Sequence, residues 1–401
     1  MSALRKFVAP EFIFGSGALR KCSDYALTFG ASKVLVVTDP GLVKAGWTGK
    51  VEAQLKEAGL PFERFDAVSP NPRDSEVMEG AEFYRNNHCD MIIAVGGGSP
   101  MDCAKGIGVV ATNGGHVLDY EGVDQVPVPM PPLLCIPTTA GTAADVSQFA
   151  IILDSENSNK IAIISKGVVP DVSLIDPETA CTMDAQLSAA TGMDALTHAV
   201  EAYVSNAAGP ITDLHALEAI RYLVANLETT IARPDDITTR AGTMMGSLMA
   251  GLAFSNASLG LVHAMAHALG GLLDLPHGLC NALLLEHVIA YNHDAVPGRY
   301  RQVWAAMSRG QGQGTAIPII TPRNKGASLN STDALSGLLE LLVGMRHRLG
   351  LGDRLTSKPV SEQTIGKLAD RALRDPCLAT NPKKAGKADI AGIYKALLTH
   401  G

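Results

Sequence analysis

Up to about residue 180, short continuous apolar runs alternate with stretches whose apolar positions recur every three or four residues. Four runs read as strands: "KVLVVTD" at 33–39, "DMIIAVGGGS" at 90–99, "LLCIPTT" at 133–139 and "VSLID" at 172–176. Each is apolar at consecutive rather than alternate positions, as expected of strands covered on both faces, and the helical stretches between them supply the covers. Beyond about residue 182 the strand pattern fades and Ala- and Leu-rich helical periodicity runs to the end. The predicted organisation is an α/β domain over 1–181 with a parallel, Rossmann-like sheet, then an all-α domain over 182–401. Residues 308–333, "SRGQGQGTAIPIITPRNKGASLNSTD", are rich in Gly, Pro, Ser and Asn and predict a long surface loop.

The longest apolar run, Ala241 to Leu273, contains no Asp, Glu, Lys or Arg. It is long enough to span a bilayer, which takes about 20 residues. Ser247, Ser255, Asn256, Ser258 and Gly260 interrupt it, however, and "SNASLG" reads as a turn between two helices buried in a large protein. No membrane partner is expected. The 401 residues, 46% hydrophobic and 18% charged, exceed one ordinary core and agree with two domains. A net charge of -7 offers no general attraction to phosphate backbones, so nucleic acid is not an expected partner. The opening "MSALRKFVAPEF" lacks the features of a signal peptide. Seven cysteines without Cys-x-x-Cys spacing read as reduced thiols, and a cytoplasmic location is expected.

Two groups of residues carry chemistry. In the first half, "IIAVGGGSPMDCAKGIG" at 92–108 is a buried strand running through glycines into a helix. Gly96, Gly97 and Gly98 permit a tight turn, and Ser99 and Pro100 suit the N-cap and first position of the helix, whose free N–H groups attract phosphate. Asp39 follows an earlier strand, where a carboxylate can bind the adenosine ribose and repel a 2′-phosphate, although "TDPG" is also an ordinary turn. Thr138, Thr139 and Thr142 place hydroxyls after a third strand. Ligands of open parallel sheets gather at such carboxyl ends.

In the second half, Asp194 and His198 are four apart and share one face of a predicted helix; His263 and His267 repeat that spacing, and His277 follows. A single buried histidine is usually a hydrogen-bonded core residue. A carboxylate with several imidazoles in a charge-free core is costly unless a cation satisfies them together, and mixed oxygen and nitrogen donors suit Fe2+, Zn2+ or Mn2+ rather than Ca2+. The spacing does not select among the four histidines.

Taken together, "FGSGAL", "VGGGSPMDCAKGIG", "PTTAGTAADVS", "ATGMDALTHAVEAYVS", "NASLGLVHAMAHALGG" and "PHGLCNALLLEHV" resemble the iron-containing (group III) alcohol dehydrogenases. The likeness is nearest to members acting on short alcohols and diols, such as lactaldehyde reductase and NAD-dependent methanol dehydrogenase. It implies a dehydroquinate synthase-like architecture of an α/β domain and a helical metal-binding domain. It also implies reversible hydride transfer between NAD and short primary alcohols, with an ion, foremost Fe2+, held by Asp194, His198, His263 and His277. His267 matches a further histidine near the nicotinamide that carries the alcohol proton and does not bind metal. Asp39 matches the residue favouring NAD over NADP, and Gly97, Gly98 and Ser99 the pyrophosphate loop; Asn71, Thr138, Thr139, Thr142 and Lys160 match other cofactor contacts.

The resemblance further implies a homo-oligomer and a pocket lined partly by Phe149, Phe254 and residues near Leu259, suited to small uncharged alcohols and aldehydes. Ala143, Ala144 and Asp145 stand where many members have Gly-Ser-Glu. Two rivals remain: an NAD-using lyase of dehydroquinate synthase type, and a non-catalytic NAD-binding protein. The lyase needs basic residues for a phosphorylated substrate, and the helical motifs are nearly devoid of them.

Overall fold

A computed structural model describes residues 6–310, 331–353, 355 and 360–399. The chain divides into two compact units, Met1–Met183 with Gly271–Leu273, and Asp184–Gly270 with Asp274–Gly401. Through the first unit run β1 (Glu11–Phe14), α1 (Cys22–Thr28), β2 (Val34–Val37), α2 (Pro40–Ala45), α3 (Trp47–Glu57), β3 (Phe62–Phe65) and α4 (Asp74–Asn86). Then come β4 (Met91–Gly96), α5 (Gly98–Asn113), β5 (Gly122–Val123), β6 (Leu133–Pro137), β7 (Phe149–Asp154), β8 (Asn159–Ile164) and β9 (Val172–Ile175).

Six strands form a parallel sheet in the order β1-β9-β6-β4-β2-β3. The period of two along each strand splits its buried residues between two cores. Leu35, Val37, Ile92, Ala94, Leu133 and Cys135 face one side, with Val77 of α4 and Ile107 of α5. Val34, Val36, Met91, Ile93, Leu134 and Ile136 face the other, with Cys22 of α1 and Val51 and Leu55 of α3. This double burial is why the central strands are continuously apolar. A second sheet, β5-β8-β7, contains the antiparallel pair β7 and β8.

The second unit holds α6 (Ala185–Val204), α7 (Pro210–Ala232), α8 (Ile237–Ala257), α9 (Leu261–Leu273) and α10 (His277–Asn292). These are followed by α11 (Pro297–Gly310), α12 (Ser331–Arg348), α13 (Glu362–Ala372) and α14 (Lys387–Thr399). The charge-free run fills α8 from Ala241 onward and all of α9, two helices that meet at a 100° bend, and no single helix among the described residues is long and apolar enough to cross a membrane. The break falls where expected: Ser258 has φ +59 and Gly260 caps α9.

The loop expected over 308–333 is shorter at both ends. Ser308 to Gly310 continue α11, because Val303, Ala306, Met307 and Gly310 are buried at helical spacing. Residues 331–333 open α12, which buries Ala334, Leu338, Leu342 and Met345 one above another. The rest of that loop, 311–330, lies outside the described residues.

Candidate functional site

The nucleotide candidates lie at the carboxyl ends of adjacent strands. Asp39 follows β2, the glycines end β4, and Thr138 and Thr139 follow β6, with β2 paired to β4 and β4 to β6. The glycine loop packs directly on the threonines: a Cβ at Gly97 would stand 3.0 Å from Thr139 Cγ2, and one at Gly98 3.0 Å from Thr142 Cγ2. A side chain at either glycine would have to push a threonine methyl back by a few tenths of an ångström, so glycine suits this approach and leaves the backbone at the start of α5 open to a ligand. One detail of the expectation is corrected. Gly97, not Ser99, is the N-cap of α5, so Ser99 and Pro100 sit inside its first turn. A proline there still forfeits only an N–H that has no helical partner.

Asp39 caps α2, its Oδ1 accepting from Leu42 N at 3.0 Å. Asn71 and Lys160 meet, with Lys160 Nζ donating to Asn71 Oδ1 at 2.7 Å. Asp145, at the variant position, accepts a 2.6 Å bond from Ser173 Oγ of β9, which turns it into the core of its own unit. Phe149 belongs to β7, and its carbonyl accepts a 2.7 Å bond from Lys105.

Within the helical unit the donor atoms of three expected ligands, Asp194, His263 and His277, form one small group, and the fourth, His198, stands beside Asp194 but outside that group. Asp194 and His198 share a face of α6, His263 lies in the first turn of α9, and His277 begins α10. Around Asp194 Oδ1 stand the Nε2 atoms of His263 at 3.6 Å, His277 at 3.8 Å and His198 at 3.9 Å. Ligands about 2.1 Å from a tetrahedral ion are about 3.4 Å apart, so the separations of His263 and His277 from Asp194 exceed that geometry by only a few tenths of an ångström, whereas His198 has to move to join them. His267 is beside the cluster, its ring stacked 5.3 Å from that of His277, while its Nδ1 is bonded to Asp375.

Three further residues complete the environment. Asn281, one turn after His277, directs a single Nδ2 at Asp194 Oδ1 (2.6 Å), His263 Nε2 (3.1 Å) and His277 Nε2 (3.1 Å). Its own Oδ1 is buried and has no hydrogen-bond partner among the described residues. Two amide hydrogens cannot serve three such atoms, so the residues fit a divalent cation better than they fit each other. Glu201 Oε2 binds His263 Nδ1 at 2.6 Å and Oε1 accepts from Val262 N at 2.7 Å, capping α9 and aiming His263 at once. Phe254 stacks on His198 with ring centroids 4.3 Å apart.

Electrostatics tell the same story. Burial disfavours a charged Asp194, but the positive potential of His198, His277 and His263 prevails and holds its carboxyl far below the usual range. Burial likewise opposes a charged His263, yet Asp194 and Glu201 push its pKa up to about 9. The cluster draws in positive charge.

The N-terminal 9–177 match the family model "Iron-containing alcohol dehydrogenase", and 188–398 match "Fe-containing alcohol dehydrogenase family, C-terminal". The chain belongs to the iron-containing alcohol dehydrogenase family. It is 40% identical to a 1,3-propanediol dehydrogenase of Citrobacter freundii over 384 residues, 95% of each chain. It is also 35% identical to an NAD-dependent methanol dehydrogenase of Bacillus methanolicus over 392 residues, 98% of this chain and 99% of the other. The crystal structure of a 1,3-propanediol oxidoreductase superposes with a TM-score of 0.91 at 38% identity, covering 98% of this chain and 100% of that one.

Within this iron-containing alcohol dehydrogenase, the sequence reading missed Glu201, Asn281 and Asp375. Two had a visible signal: Glu201 follows Asp194 by seven on the same face of α6, and Asn281 follows His277 by four. A carboxylate behind a metal-binding histidine raises its basicity and fixes its orientation. Glu201→Gln is therefore expected to weaken metal binding about 10- to 100-fold, measured by dialysis against a competing chelator. Unchanged affinity would leave Glu201 as a helix cap only.

Proposed function

We propose that this chain is a metal-dependent, NAD-linked alcohol dehydrogenase and aldehyde reductase that moves hydride reversibly between NAD(H) and short primary alcohols or diols and their aldehydes. The observation that carries the reading is the grouping of the donor atoms of Asp194, His263 and His277, from α6, α9 and α10, with His198 Nε2 a further 3.9 Å from Asp194 Oδ1. A divalent ion held by Asp194, His198, His263 and His277, foremost Fe2+ with Zn2+ or Mn2+ as alternatives, supplies the positive charge that acidifies an alcohol hydroxyl or polarises an aldehyde carbonyl.

The chain's own residues do the rest. The Gly97–Gly98–Ser99 turn presents the N-terminus of α5 to the pyrophosphate, while Thr138, Thr139, Thr142, Asn71 and Lys160 bind around it and Asp39 takes the ribose hydroxyls. His267 receives the proton that the alcohol loses. Phe254, stacked on His198, gives the metal side of the substrate site an apolar surface, which supports short, uncharged substrates. The related diol and methanol dehydrogenases act on substrates of that kind by name. The lyase and the non-catalytic NAD-binding protein are not favoured. An exposed Phe12 on the edge strand β1 supports a homo-oligomer, which sedimentation would detect. The free thiols support a reducing, cytoplasmic setting.

The test is NAD reduction at 340 nm with ethanol, 1-butanol, 1,2-propanediol and 1,3-propanediol, using protein stripped with chelator and reloaded anaerobically with Fe2+, Zn2+ or Mn2+. Turnover restored by an ion supports the reading; none, in protein that binds both NAD and the ion, overturns it. Asp39→Asn separates the two roles of that side chain, because asparagine caps a helix as well as aspartate does but carries no charge. The variant is expected to keep its melting temperature and to gain about tenfold in kcat/KM with NADP, the effect of removing roughly 1.4 kcal/mol of repulsion. An unaltered preference would leave Asp39 as a cap alone.

A further inference from the structure

His267 and Asp375 form a buried pair whose carboxylate has no function in the reading above. Nδ1 of His267 lies 2.8 Å from Asp375 Oδ2, and both side chains are nearly closed to solvent, at 7% and 8% exposure. The other oxygen is fixed as well: Asp375 Oδ1 accepts from Cys377 N at 2.8 Å as the cap of the short 3₁₀ turn Pro376–Thr380. The carboxylate thus cannot turn away from the imidazole without breaking its own cap.

A second metal site is the competing explanation, since His267, Asp375 and Cys377 each bring a donor atom into one small group. The geometry argues against it. His267 Nδ1 and Asp375 Oδ2 lie 2.8 Å apart, a hydrogen-bond distance and closer than the roughly 3.4 Å between two ligands of a tetrahedral ion. Asp375 itself is held below the usual carboxylate range despite its burial, because of His267 and the hydrogen bonds from His267 and Cys377. A permanent carboxylate facing Nδ1 demands a hydrogen there.

We propose that Asp375 is a positioning residue for the alcohol dehydrogenase reaction: it fixes His267 as the Nδ1–H tautomer, so that Nε2 is the atom that takes the proton from the substrate hydroxyl. This rests on the assignment of His267 as the proton acceptor. In alcohol oxidation the O–H bond breaks and its proton goes to Nε2. The C–H bond breaks and its hydrogen leaves with the electron pair for the nicotinamide ring of NAD, giving aldehyde, NADH and a protonated His267. Asp375 stabilises the imidazolium through the Nδ1 hydrogen bond without taking the proton. Reduction of the aldehyde runs the same transfers backward.

Asp375→Asn is the discriminating variant, because asparagine still caps the 3₁₀ turn and fills the same volume, but its amide also accommodates the wrong tautomer. The expected result is a fall in kcat on the order of 100-fold or more, with KM for NAD and bound metal per chain within about twofold of wild type. Asp375→Glu is expected to recover part of the loss. In a His267→Ala background, Asp375→Asn is expected to cost nothing further, since its effect passes through that ring. A readout independent of turnover is the 15N spectrum of histidine-labelled, metal-free protein, with His267 assigned by its loss in His267→Ala. Wild type is expected to show the Nδ1–H form and Asp375→Asn a mixture. Near-wild-type kcat with an unchanged tautomer in Asp375→Asn would reduce Asp375 to a structural cap. Full activity in His267→Ala would instead overturn the assignment of the proton acceptor, leaving the tautomer result to be judged on its own.

Discussion

His263→Ala is expected to lose metal-dependent alcohol turnover by on the order of a thousandfold in kcat, about 4 kcal/mol of barrier, while NAD binding survives. His263 is the most enclosed of the four expected ligands, with 1% of its side chain exposed, and it lies between two carboxylates. Alanine removes a donor and leaves Asp194 and Glu201 facing each other's charge without the ring that joined them. The ion is expected to be lost on dialysis, and elemental analysis measures that directly. Every residue assigned to the nucleotide belongs to the other compact unit, so NAD titration followed by fluorescence should give a dissociation constant close to wild type. Wild-type turnover in His263→Ala would remove it from the ligand set and the proposed metal chemistry with it.

Lys105→Met is expected to cost stability more than chemistry. The ammonium is fully buried on α5 and donates to Phe149 O at 2.7 Å and Ser147 O at 3.0 Å, fastening the helix of the glycine loop to the start of β7. It is also the cation that offsets nearby acids. Burial pushes the Asp102 carboxyl up to about 6, and Lys105 is the largest force pulling it back. Burial lowers the lysine's own pKa, with Asp102, Cys135 and Asp145 opposing. Methionine preserves the stem but abandons two carbonyls and the charge. The expected loss is about 3–5 kcal/mol, the range for breaking a buried charge interaction. That corresponds to a melting temperature lower by roughly 6–20 °C. A shift under 2 °C would mean that the carbonyls find other donors.

The central sheet was legible because β2, β4, β6 and β9 are buried on both faces, which forces an apolar residue at nearly every position. The strands that escaped notice lack that constraint. β1 and β3 are sheet edges with polar residues in "EFIF" and "FERF", and β7 and β8 pair locally across a short turn. At the helical site the spacing of four along α6 exposed Asp194 and His198, and the same period would have revealed Glu201 and Asn281. Asp375 could not be found that way. It stands 108 residues beyond His267, in a turn with no repeat, and only the folded chain brings them together.

All seven cysteines are free thiols, six of them buried and Cys181 half-buried. Five fall in the α/β unit and two, Cys280 and Cys377, in the helical unit. The six buried thiols are shielded by the fold, and an alkylating reagent can reach them fully only when the structure around them opens. The distribution makes the protein its own pair of stopwatches: pulse alkylation followed by peptide mass mapping times the opening of each half separately, with no added label. Because Cys377 is bonded through its backbone to Asp375, its clock also reports how long the environment of His267 stays shut.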